Sequence, residues 1–156
     1  DTTIFQSLAF KLNGLSLPLV EGELWSPVSE KLAQRKFQVS ENEAGVNSVS
    51  FYLHGKDHRI TMEMDHGMET LYLGTESHIT SKLNDHLPYT QNMRRRIGAS
   101  GAWVKPNEYR AKIYLTETPG SIMYTFRFAN NRMTWTSQLR HSLFGSRNLA
   151  ILKGEF

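Results

Sequence analysis

The chain has 156 residues, 39% hydrophobic and 21% charged, with a formal charge of +3, which suits one globular domain with a sizeable core. It contains no cysteine, so disulfides, thiolate metal sites and cysteine nucleophiles are excluded together. Its apolar runs fall far short of the roughly 20 residues that a membrane-spanning helix needs, and its basic residues, spread out apart from Arg94-Arg95-Arg96, argue against the one-sided stripe of a nucleic-acid binder.

Residues 1–25 read as an irregular lead-in or linker, with Leu12, Leu15, Leu17 and Leu19 around Gly14 and Pro18. The opening DTTIFQSLAF has neither a basic start nor a continuous apolar stretch, so it is not expected to be a signal peptide. A barrel domain is expected over 26–156. Ser26-Pro27 is the one convincing helix start: serine caps free amides, proline suits the first helical position, and Glu30 falls in the first turn, where the helix dipole favours an acid. Ser29 stands where a capping box would carry Glu or Gln, so that box is expected to be incomplete. A helix of about two turns follows.

Strand signals then recur at Phe37 to Ser40, Val46 to Leu53, Arg59 to Asp65 and Thr70 to Gly74. Between Thr75 and Arg95 the alternation fails, and a long connection or irregular strand is expected there. From Arg96 to Gln138 the pattern is clearest. Apolar residues occupy alternate positions at Tyr109, Ala111, Ile113 and Leu115, at Ile122, Tyr124, Phe126 and Phe128, and at Met133 and Trp135. A period of two places them on one face of antiparallel strands. Pro106-Asn107, Pro119-Gly120 and Asn130-Asn131 supply the turns. RHSLFGSRN reads as a loop, and Leu149 to Lys153 as a closing strand. The sum is an all-β chain of eight or nine antiparallel strands with one short N-terminal helix. Sequential hairpins favour an up-and-down barrel, whose interior at this size is filled by side chains or holds one small ligand.

Chemistry is sparse. Six histidines, His54, His58, His66, His78, His86 and His141, invite a metal reading, but a Gly-Lys-Asp turn separates His54 from His58, and solvated turn histidines are the expectation. No Ser-x-x-Lys, Gly-x-Ser-x-Gly, Tyr-x-Asn or Lys-Thr-Gly occurs, so no activated serine is recognisable. Gly98-Ala99-Ser100-Gly101 reads as a packing site within a strand. The carboxylates Glu41 and Glu43, or Glu63 and Asp65, read as a solvated face. No catalytic residue, metal site or cofactor site is assigned. The remaining signal is aromatic: Phe51, Trp103, Tyr124, Phe126 and Trp135 are the candidate interior-lining residues, either filling the barrel or walling a pocket.

Gly101-Ala102-Trp103-Val104, a short turn, Tyr109 to Leu115, Glu117-Thr118-Pro119, then Tyr124-Thr125-Phe126-Arg127-Phe128 and an Asn-Asn turn resemble the C-terminal all-β domain of bacterial serine hydrolases of the beta-lactamase and penicillin-binding-protein superfamily. The Ser-Pro start, Glu41-Asn42 with Gly45, and Glu69 before Leu73-Gly74 extend the similarity. This resemblance implies a lipocalin-like barrel, non-catalytic, packed on or assembling an N-terminal serine hydrolase domain of the same parent chain, in a periplasmic or secreted bacterial protein. The alternative is a lipocalin-like barrel that binds a small apolar ligand, with no nucleic-acid partner and no membrane insertion.

Overall fold

Alternating burial runs through almost every strand, and it closes the sheet around one core. The structure, a computed structural model, describes residue 4 and residues 17–84, 94–116, 120–141 and 145–156, with the backbone alone for 84, 94, 141 and 145–151. Among the described residues from 17 onward, one helix, α1 (Pro27–Leu32), precedes ten strands: β1 (Lys36–Val39), β2 (Val46–His54), β3 (Asp57–Met64), β4 (Gly67–Leu73), β5 (Ile79–Asn84), β6 (Arg94–Lys105), β7 (Glu108–Leu115), β8 (Gly120–Ala129), β9 (Arg132–His141) and β10 (Gly145–Glu155). All belong to one antiparallel sheet in the order β4-β3-β2-β1-β10-β9-β8-β7-β6-β5. The sheet curls back on itself where the chain leaves β4: Gly74 N–H donates to the Ala99 carbonyl of β6 and Gly101 N–H of β6 donates to the Gly74 carbonyl, both at 3.0 Å. The result is a near-closed up-and-down barrel.

Ten strands replace the expected eight or nine. The additional strand is β5, in the segment where the sequence alternation fails. Its inward positions are Ile79, Ser81 and Leu83, which pair with Ala99, Ile97 and Arg95, and a serine in the middle removes the apolar rhythm that marks the other strands. The expected loop RHSLFGSRN is also shorter. Arg140 and His141 finish β9, and β10 begins at Gly145 instead of Leu149. Residues 85–93 and Pro119 lie outside the described residues.

The helix start forms as its sequence dictates, with one correction. Val28 N–H donates to Ser26 Oγ at 3.2 Å, and the capping box is complete because Ser26 N–H donates to Ser29 Oγ at 3.2 Å. A hydroxyl thus does the work usually given to Glu or Gln. Ser26 Oγ in turn donates to the Pro106 carbonyl in the β6–β7 turn, and Leu32 is buried in the core. These contacts fix α1 at the barrel end that carries the β2–β3, β6–β7 and β8–β9 turns. At that end Gly55 and Asn130 both take φ of 55°, a conformation that glycine and asparagine adopt most readily. The lead-in is tied down too: Glu23 and Trp103 exchange backbone hydrogen bonds of 2.8 and 2.9 Å, and Val20 N–H donates to Ser100 Oγ at 3.1 Å.

Candidate functional site

The strand register stacks the inward side chains of β6–β10 into rows. Trp103, Tyr109, Phe126, Trp135 and Leu152 stand side by side across all five strands. One step toward the opposite end, the row is Gly101, Ala111, Tyr124 and Ser137. The next is Ala99, Ile113, Ile122 and Leu139. A belt of large rings therefore gives way abruptly to small and hydroxyl-bearing residues.

The belt fills the barrel near α1. Phe51 on β2 packs edge to face on Phe126 and Phe128 of β8, with ring centroids 5.0 and 5.1 Å apart. Phe37 and Trp103 each approach Phe128 within 5.8 Å. Rings from opposite walls are in contact, and edge-to-face pairs of this kind add to the energy of burial itself. Phe51, Trp103, Phe126 and Trp135 are all at most 3% exposed. So four of the five sequence-chosen interior residues form a packed floor.

Tyr124, the fifth, stands on top of it. Its ring lies 5.0 Å from Trp135, edge to face, and it is only partly buried although it points inward. The same holds for Leu139, Ser81 and Arg95, all at inward positions in the half away from α1. Their accessibility marks this half as the more open part of the lumen, although Ala99 and Ala111 themselves are fully buried and the Tyr109 hydroxyl fills the space beside Gly101. The Nε1–H groups of Trp103 and Trp135 and the Ser81 hydroxyl have no hydrogen-bond partner among the described residues, so the interior retains unused polar capacity beside an apolar wall. Glu69 also faces inward, opposite Met62, and its carboxylate accepts from His66 Nε2 at 3.3 Å.

Sequence reasoning missed His58. It is 1% exposed, not a solvated turn histidine. Its Nε2–H donates to the Leu24 carbonyl at 3.1 Å, since a carbonyl can only accept, and its Nδ1 therefore accepts from the Tyr109 hydroxyl at 2.8 Å. Burial depresses its pKa below the ordinary value, although the bonds to Leu24 and Gly55 oppose the shift. Burial likewise raises the Tyr109 pKa. The pair latches the lead-in segment to the barrel end; the signal for it was the position of His58, in phase with Ile60, Met62 and Met64. Among the described residues no three His, Asp or Glu side chains are grouped to hold a metal ion. A shallow groove beside α1, lined by Ser50, Tyr52, Arg59, Thr61, Thr70 and Tyr72, lies on the outer wall.

No protein-family model matches the chain, and no curated protein matches it in sequence. Solved structures do. The Schistosoma mansoni fatty acid binding protein in complex with arachidonic acid superposes with a TM-score of 0.57 over 81% of this chain and 97% of its own, at 10% identity. A fatty acid-binding protein from Drosophila melanogaster brain tissue gives 0.53 over 80% and 99%, also at 10% identity. At this identity the likeness is one of fold: the described residues from 17 onward form an all-β, near-closed antiparallel barrel of ten strands with one short helix, matching the fold of fatty acid binding proteins and lipocalins.

Proposed function

We propose that the chain is a non-catalytic barrel that takes one small apolar ligand into the half of its lumen away from α1. The observation that carries this reading is the step from the ring belt at Trp103, Tyr109, Phe126 and Trp135 to the row of Gly101, Ala111, Tyr124 and Ser137. The inward side chains of Tyr124, Leu139 and Ser81 in that half remain partly accessible, whereas a lumen meant only to be core would bury them, since interiors pack without voids. Small residues with a few placed hydroxyls beside an apolar wall are what ligand sites use. The ligand-bound fatty acid binding protein that shares the fold supports the same reading. Isothermal titration with oleate and with the uncharged oleyl alcohol tests it. One-to-one binding of either supports it, and no heat with both contradicts it.

A second reading, the accessory domain of a bacterial periplasmic or secreted serine hydrolase, rests on the sequence resemblance around Glu117-Thr118-Pro119 and Phe126-Arg127-Phe128. It predicts Ser-x-x-Lys and Tyr-x-Asn motifs upstream of Asp1 in the parent reading frame. Sequencing that frame decides it. A ligand-binding lumen is compatible with either parent.

A further inference from the structure

Charges that look scattered along the chain are separated by the barrel. Residues 1–93 carry seven lysines and arginines against twelve acids, whereas residues 94–156 carry eleven against three. Because β6 to β10 are neighbours in the sheet, the second set lies along one continuous stretch of wall, Arg95 pointing into the lumen and the residues named next facing out. Ile97, Ala111, Ile113, Phe126, Met133 and Leu152 of that wall are buried, so the alternate positions Arg96, Arg110, Lys112, Arg127, Arg132 and Arg140 face outward. Its described acids are already engaged. Glu108 is held by Arg110 at 2.7 Å and Arg127 at 2.9 Å, and Glu155 by Arg132 at 2.9 Å. Lys112 instead lies 5.0 Å over the Tyr114 ring, and Arg140 donates to Gln138 at 3.2 Å. Glu21 and Glu23 sit beside β6, which centres the cationic strip on β7–β9.

We propose that this outer wall docks the protein on an anionic phospholipid surface. Charge complementarity is the argument, and the surroundings of the charges select the occupant. Between the basic groups stand Ser121, Thr125, Thr134 and Thr136. Among the described outward residues of β7–β9, Tyr114 is the one aromatic ring, so there is no platform for stacking a run of nucleotide bases. A specific acidic protein partner would be met by a cluster of aromatic or apolar anchors, and on β7–β9 only Met123 and Tyr114 stand among the outward hydroxyls and guanidinium groups described. Phosphate headgroups need neither. Arg110, Arg127 and Arg132 are partly taken up by Glu108 and Glu155, so Arg96, Lys112 and Arg140 lead the contact, and the two guanidinium groups fork onto phosphate oxygens in a way an ammonium does not. On the β1–β4 side Lys36 and Arg59 pair with Glu63 and Asp57 and Glu41, Glu43 and Asp65 remain in excess, so that side has no attraction for the same surface and the molecule approaches it in one orientation. This docking does not depend on whether the lumen binds a ligand.

Cosedimentation with vesicles tests the proposal, comparing phosphatidylcholine alone with phosphatidylcholine plus phosphatidylserine across a salt series. Binding is expected only to the anionic vesicles and should fall steeply with salt. Lys112→Glu combined with Arg140→Glu should weaken it by at least about tenfold with thermal stability unchanged, while Lys56→Glu on the β2–β3 turn should not. Equal binding to neutral vesicles, indifference to salt or to the double substitution, or tighter binding of duplex DNA at the same ionic strength would overturn it.

Discussion

Phe51 on β2 and Phe126 on β8 meet edge to face with 5.0 Å between ring centroids, although three strands lie between β2 and β8 in the sheet. Such a contact can only be made through the lumen. The belt to which Phe126 belongs is thus a floor across the barrel, and removing a ring from it leaves a void with rigid walls. Phe126→Ala and Trp135→Ala should each cost about 3 to 5 kcal/mol, read from urea midpoints. Costs under about 1 kcal/mol, typical of surface sites, would mean that the floor is not packed.

Gly101 and Tyr109 form a second interlocked pair. A Cβ at position 101 would overlap the Tyr109 hydroxyl, the same group that donates to His58. Gly101→Ala should therefore destabilise by about 1 to 3 kcal/mol, as overpacking does. In a Tyr109→Phe background the clashing oxygen is gone, and the same substitution should cost clearly less. Equal costs in the two backgrounds would contradict the geometry.

The buried latch predicts a pH response. Folded His58 is held neutral with a pKa below its ordinary 6.5, so the unfolded chain binds the proton first as pH falls. Its contribution to stability is complete above pH about 6.5 and is lost as pH drops from there through the folded value. Asp57 opposes the shift and His54 adds to it. Thermal midpoints from pH 8 to 5 should fall more steeply for the native chain than for His58→Phe. Parallel curves would place the titration elsewhere.

Much of this fold is legible in the sequence because a half-buried strand writes its inward face as every second residue. Ile122, Tyr124, Phe126 and Phe128 are assigned correctly on that ground, as are Tyr109, Ala111, Ile113 and Leu115. The same logic hides β5, where Ser81 takes an inward place, and hides His58, whose polar ring looks like turn chemistry until a partner is found 51 residues away at Tyr109. The candidate site was half legible. Large inward rings suggest a filled barrel, and they do fill it near α1, but rows are a property of register across strands. Gly101, Ala111 and Ser137 come from β6, β7 and β9, and no local pattern announces that they will stand together. The cationic wall is hidden in the same way, since β6 to β10 become one surface only when the sheet closes.

A titration of tryptophan fluorescence with oleate tests the central claim, that the lumen above the Trp135 floor is a ligand site. Saturable quenching at one equivalent is expected. Ala111→Phe, or Ser137→Leu should the first fail to fold, fills the small row and should weaken the binding by at least about tenfold, the scale of one misfit group in an apolar pocket. No saturable change in the native chain, or full binding in the filled variants, would contradict the account.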